Sequence, residues 1–110
     1  MSERRGTSLG PHDMLLLRQW GHRLREAFGA MPYLVGSVTA GGPYRDVDVR
    51  MLTPSKAFTK SEPRRRALNL AVSLWGRQAT GLPIDFQFQA PDEFHDYDGP
   101  RCAVGIDPTL

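Results

Sequence analysis

The sequence predicts a single α/β domain of α+β character: a small mixed three-stranded sheet with helices packed on one face. Three observations lead there. Two segments, Asp46 to Leu52 and Ile84 to Gln89, alternate apolar and polar residues with the period of a half-buried strand. Two longer segments, His12 to Ala30 and the stretch between Ser61 and Gly81, repeat apolar residues at steps of three and four, as an amphipathic helix does. The second of these helices lies between the two alternating strands, and such a crossover favours parallel pairing with a right-handed connection.

Each element has a local justification. Pro11 suits the first turn of the first helix and Gly29 its stop, while Leu17, Trp20, Leu24 and Phe28 form one apolar face. Tyr33 to Val38, an apolar run after Pro32, reads as the first strand. Thr39 to Arg45 contains Gly41, Gly42 and Pro43 and reads as a sharp loop, short enough to favour an antiparallel pair. In the second strand Val47, Val49 and Met51 take one face and Asp46, Asp48 and Arg50 the other. Thr53 to Lys60 is a polar connection, after which Ser61 caps the second helix with Pro63 in its first turn. The apolar set of that helix is Ala67, Leu70, Ala71, Leu74 and Trp75, and Trp20 and Trp75 are expected in the core. Gly81 and Pro83 end it. The third strand turns Ile84, Phe86 and Phe88 inward and Asp85, Gln87 and Gln89 outward, and Pro91 ends it. Residues 95–110 read as an irregular tail.

Composition removes several function classes. The 110 residues suit one domain, and 40% apolar content suits one modest core. No run approaches the roughly 20 apolar residues of a membrane span. Met1 to Arg5 is charged without a following apolar segment, so no secretory signal is expected and the cytoplasm is the default location. Composition marks only Met1 to Gly10 as disordered. Cys102 is the single cysteine, which excludes an intrachain disulfide and a thiolate zinc cluster and leaves a packed or idle thiol. The net charge is +2, and arginine supplies 12 of the 14 cationic residues, a bias that suits phosphate contact and permits a nucleic-acid partner without indicating one.

The chemistry concentrates in three carboxylates. Asp46 and Asp48 share a strand face, and Asp85 belongs to the polar face of the next strand. If those strands are neighbours, the carboxylates converge and repel one another unless a cation intervenes. Magnesium resolves this, because it is held by one or two carboxylates together with substrate phosphates. Two such ions, with manganese as the alternative, suit in-line phosphoryl chemistry. Asp85 is then the group that activates an attacking hydroxyl, and Asp46 and Asp48 are shared ligands. Upstream, Gly36 lets a phosphate approach the backbone, Ser37 offers its hydroxyl, and Gly41 relieves the turn.

Gly36-Ser-Val-Thr-Ala-Gly41, Arg45-Asp-Val-Asp-Val49 and Pro83-Ile-Asp-Phe86 together resemble the minimal nucleotidyltransferases of the DNA polymerase β superfamily. The resemblance spans Leu34 to Phe94, including Gln89-Ala-Pro-Asp-Glu-Phe94 after the third strand. It implies the polymerase β-like fold and magnesium-dependent transfer of a nucleoside monophosphate from a nucleoside triphosphate, ATP first, to an acceptor hydroxyl. It assigns Gly36, Ser37, Gly41 and Arg50 to the nucleotide, and Asp46, Asp48 and Asp85 to metal binding and catalysis. The chain departs from the family pattern in a shorter Ser37–Asp46 segment, in Arg45, and in a brief C-terminus. The acceptor is accordingly small, or a protein or RNA that brings its own recognition surface. The alternative is an inactive nucleotide- or partner-binding module of the same fold, such as an antitoxin-like protein.

Other charged residues carry weaker expectations. Arg50 shares the aspartate face and either pairs with one aspartate or touches the nucleotide. Arg64, Arg65 and Arg66, at an unfavourable helix N-terminus, are a solvated turn or a phosphate-contacting patch joined by Lys56 and Lys60. Gln87 either lines the pocket or is simply exposed. Asp92, Glu93, His95, Asp96 and Asp98 read as a solvated acidic run.

Overall fold

A computed structural model describes residues 8–52, 62–94 and 99–109. In chain order these form helix α1 (Pro11–Phe28), strand β1 (Pro32–Val35), a 3-10 turn (Ser37–Ala40), strand β2 (Val47–Leu52), helix α2 (Glu62–Thr80), strand β3 (Ile84–Gln89), the single-turn helix α3 (Pro91–Phe94) and strand β4 (Cys102–Ala103). The expected disorder of residues 1–10 does not extend to Ser8 and Leu9: Leu9 is buried, and the Ser8 N–H donates to the Val38 carbonyl at 2.8 Å. The connection before α2 and its expected cap, Ser61, lie outside the described residues.

Among the described residues the sheet has four strands rather than the expected three, in the order β3-β2-β1-β4. β1 and β2 are antiparallel, and β2 and β3 are parallel, as a helical crossover between them requires. The added strand is β4, whose Cys102 and Ala103 pair antiparallel with Leu34 and Tyr33. Two residues are too few to leave a periodic signature, so this segment reads as tail in the sequence. β1 is shorter than its apolar run. It ends at Val35, because Gly36 turns the chain and carries the buried Val38 into the 3-10 turn.

Alternation in the two inner strands does what the period of two demands. Val47, Val49, Met51 and Ile84 are fully buried, and Phe86 and Phe88 nearly so. Leu17, Trp20 and Leu24 of α1 meet this face, as expected. Edge-to-face contacts link Trp20 to Phe86 (6.4 Å), Phe86 to Phe88 (4.9 Å) and Phe88 to Phe28 (5.1 Å). Each such pair adds about 0.5–1.5 kcal/mol to simple area burial. α1 approaches α2 where Gly76 leaves room: a Cβ there would stand 2.7 Å from the Trp20 ring. Gly29 and Gly81 close the two helices in the left-handed conformation, with φ of 80° and 74°.

Helix α2 is the main departure from expectation. Its apolar set faces outward: Leu70 is 59% exposed, Leu74 52% and Trp75 39%, and Ala67 and Ala71 are exposed too. Trp75 makes an edge contact with Trp20, at 6.1 Å. The opposite face of the helix is turned to the protein because it bonds the outer edge of β3. Asn69 Oδ1 accepts from the Phe88 N–H at 2.9 Å, and Ser73 Oγ accepts from the Phe86 N–H at 2.9 Å. Arg77 Nε donates to the Ile84 carbonyl at 3.0 Å. Four helical residues rise about 6 Å and two strand residues about 6.6 Å, so the antiparallel helix and strand stay in step. Buried main-chain groups demand partners, and satisfying them outweighs burying two more leucines.

Candidate functional site

The carboxylate end of the sheet is built around a turn that only glycine can make. Gly36 has φ 81° and ψ −162°, a region essentially closed to other residues. A Cβ on Gly36 would also lie 2.6 Å from Asp48 Oδ2, so that carboxylate would have to move. The Thr39 N–H and hydroxyl both donate to the Gly36 carbonyl, at 3.0 and 2.6 Å, and fix the 3-10 turn. From the side of α1, the Ser8 hydroxyl donates to the Gly42 carbonyl. Gly41 ends the turn at φ 85°. Ser37 is left exposed at its start.

The parallel register of β2 and β3 sets Asp48 directly beside Asp85 and Arg50 beside Gln87. Like charges side by side on adjacent strands are unfavourable. The consequence appears at Asp48, whose carboxyl is held above its ordinary value. Burial is the first cause; Arg50 opposes it, while Asp85, Asp46 and a hydrogen bond shared with Asp85 push further upward. Asp46 lies exposed, immediately before β2.

Arg50 is the counterweight. Its side chain is 7% exposed, with Nη2 standing 3.4 Å from Asp85 Oδ2 and 3.8 Å from Asp48 Oδ1. Nη1 donates to the Asp85 carbonyl at 2.7 Å and to the Val49 carbonyl at 3.1 Å. The ion-pair alternative for this residue is therefore observed.

A cleft of about 480 Å³ opens between the turn and the start of β2, lined by Ser37, Pro43, Tyr44, Arg45, Asp46 and Asp48. It gathers three of the residues expected at a site, Ser37, Asp46 and Asp48. Asp85 and Arg50 adjoin Asp48 without lining the cleft, and Gly36 packs against the Asp48 carboxylate. Tyr44 and Arg45 line it although sequence reasoning gave them no role. Arg45, an exposed cation next to Asp46, was legible only as a neighbour of the carboxylate motif.

The donors suit a hard cation, being carboxylate oxygens without sulfur or imidazole. Among the described residues, no group of three or more His, Cys, Asp and Glu side chains stands close enough to hold a metal ion. The convergence is thus an adjacent pair, Asp48 and Asp85, with Asp46 coupled to Asp48 through its charge.

Elsewhere two expectations change. Arg65 of the arginine run is not solvated: it forks Glu93, with Nη1 to Oε1 at 2.7 Å and Nη2 to Oε2 at 3.2 Å. Glu93 also accepts from the Ala90 N–H at 2.7 Å, which lowers its pKa together with Arg65, so this acid ties α3 to α2. Gln89, expected outward, is buried at 7%. Arg64 and Arg66 are exposed as expected. Lys56, Lys60, His95, Asp96, Asp98 and the side chain of Asp92 lie outside the described residues.

No family model matches the chain, and neither a curated protein nor a solved structure does.

Proposed function

We propose that the chain transfers a nucleoside monophosphate from a nucleoside triphosphate, ATP first, to an acceptor hydroxyl on a protein, an RNA or a small molecule. The observation that carries this reading is the in-register Asp48–Asp85 pair beside the Gly36-Ser37 turn, with Asp46 and Asp48 on one cleft wall. In the reaction the acceptor oxygen attacks the α-phosphorus, the bond to the leaving pyrophosphate breaks, and Asp85 takes the hydroxyl proton. Ser37 and the amides of the turn receive the β- and γ-phosphates, and Arg45 adds a cation to that wall. Asp48 and Asp85, together with substrate phosphates, are the residues that would hold magnesium; when bound, it would neutralise the phosphate charge and polarise the reacting oxygens.

Replacing Asp46 and Asp48 together by Asn tests the reading. Label transfer from a radioactive triphosphate to protein, RNA and small hydroxyl acceptors is expected to fall to background, with the circular dichroism spectrum unchanged. Transfer at the wild-type rate by the double variant would sink the mechanism.

One observation favours a second reading, a nucleotide-binding module without turnover. Arg50 already places a buried cation against both Asp85 and Asp48, and so partly replaces a metal ion. Calorimetry separates the two. Triphosphate binding that does not depend on magnesium, with no transfer to any acceptor, selects the module.

A further inference from the structure

We infer that the outward face of α2 is a docking surface for an acidic amphipathic helix of a partner protein. This stands on α2 alone and is independent of the chemistry assigned to the cleft. Leu70 and Leu74, the most exposed large apolar side chains of the helix, stand one turn apart and alternate with the exposed Ala67 and Ala71. Small residues beside leucines let a second helix approach closely while the leucines fill its grooves. This stripe is not the residue of a poorly packed helix, because the opposite face is committed to the β3 edge through Asn69 and Ser73, with Arg77 at its border reaching the Ile84 carbonyl through Nε. Rotating α2 to bury the leucines would strand the Phe86 and Phe88 N–H groups.

Charge identifies the occupant. At about 100° per residue, Arg64 borders the stripe on one side, and Arg66 and Arg77 on the other. All three are exposed, and no aspartate lies anywhere in α2; its single glutamate is Glu62, at the first position. A second copy of the chain is a poor partner. Antiparallel pairing along the stripe would set Arg66 of one helix across Arg77 of the other, and parallel pairing would set Arg64 across Arg66. Either costs the association like-charge repulsion, whereas carboxylates flanking an apolar stripe meet a cation on both borders.

Two synthetic helical peptides with the same leucine stripe, one flanked by Glu and one by Lys, provide the probe. Binding to the full chain is followed by fluorescence anisotropy at two salt concentrations. The Glu-flanked peptide is expected to bind at least about tenfold more tightly than the Lys-flanked one, with an advantage that shrinks as salt rises. Leu70→Ser with Leu74→Ser should remove binding without lowering the melting temperature. Arg64→Glu with Arg66→Glu should reverse the peptide preference. Equal binding of both peptides, or an unreversed preference in the charge-swapped variant, overturns the proposal. A dimer in sedimentation that the leucine variant dissolves overturns it in favour of a second copy. Failure of both peptides, together with a lowered melting temperature in the leucine variant, overturns it in favour of the chain's own residues covering the stripe.

Discussion

Strand β3 has two flanks of opposite character. Towards α2, the main-chain groups of Ile84, Phe86 and Phe88 each meet a side chain from one helical face, and neutral partners predominate. Towards β2, Asp85 stands beside Asp48 with one guanidinium shared between them. The first flank is arranged as stability requires, with each buried polar group given a partner. The second sets two carboxylates side by side, and Asp48 has a raised affinity for a proton, chiefly through burial and further through Asp85 and Asp46, with Arg50 opposing. Like charge retained so close to a well-satisfied edge marks that end of the sheet as the place where an added cation has most to contribute.

The contrast can be broken most severely at Arg50. Arg50→Met removes the cation from both carboxylates and should cost about 3 kcal/mol in urea unfolding, as for other broken buried ion pairs. Adding Asp48→Asn should recover part of that loss. If the two substitutions are additive, the guanidinium is not offsetting the carboxylates. On the opposite flank, Ser73→Ala leaves the Phe86 N–H buried without its partner and should cost about 1–3 kcal/mol by the same measurement. A neutral result there would mean that the helix does not hold the strand edge.

Asp48→Asn alone should raise the melting temperature at neutral pH. The sign follows from the raised pKa. Between the ordinary value of 3.8 and the higher folded value, the folded chain binds the extra proton, so stability falls as pH rises through that window and stays lower above it. The advantage of Asn should therefore vanish below that window, which melting curves from pH 3 to 7 would reveal. The smallest effect is expected at Glu93, whose pKa is lowered chiefly by Arg65. Its stabilisation is present above the unfolded carboxylate value and is lost as pH falls through the folded one. Because Glu93 is largely open to solvent it amounts to under about 1 kcal/mol, and Glu93→Gln should flatten the acid side of the stability profile to that extent.

What the sequence revealed and what it hid divide along physical lines. Val47, Val49, Met51, Ile84, Phe86 and Phe88 were legible because burial of one sheet face imposes a period of two regardless of what covers it. The crossover fixed β2 and β3 as a parallel pair, and with it the meeting of Asp48 and Asp85. The facing of α2 was hidden. Periodicity places leucines inward by default, and only knowledge that β3 is an edge strand reveals that Asn69 and Ser73 are needed there instead. β4 was hidden by its brevity. At the site, the glycine turn and the aspartates announced themselves by type and spacing. The entry of Tyr44 and Arg45 into the cleft depends on loop geometry, which leaves no periodic trace.

The margins of the sheet carry a final consequence. One is β3, whose outward main chain is already engaged by α2, and the other is β4, only two residues long. Among the described residues, neither margin presents a long, unengaged strand edge of the kind an extended peptide pairs with. Recognition by this domain is thereby turned away from strand addition at these margins. A partner or acceptor must be read through clefts, charges and helix faces, and its selectivity can be rewritten by substitutions that leave the hydrogen-bonded frame of the sheet untouched.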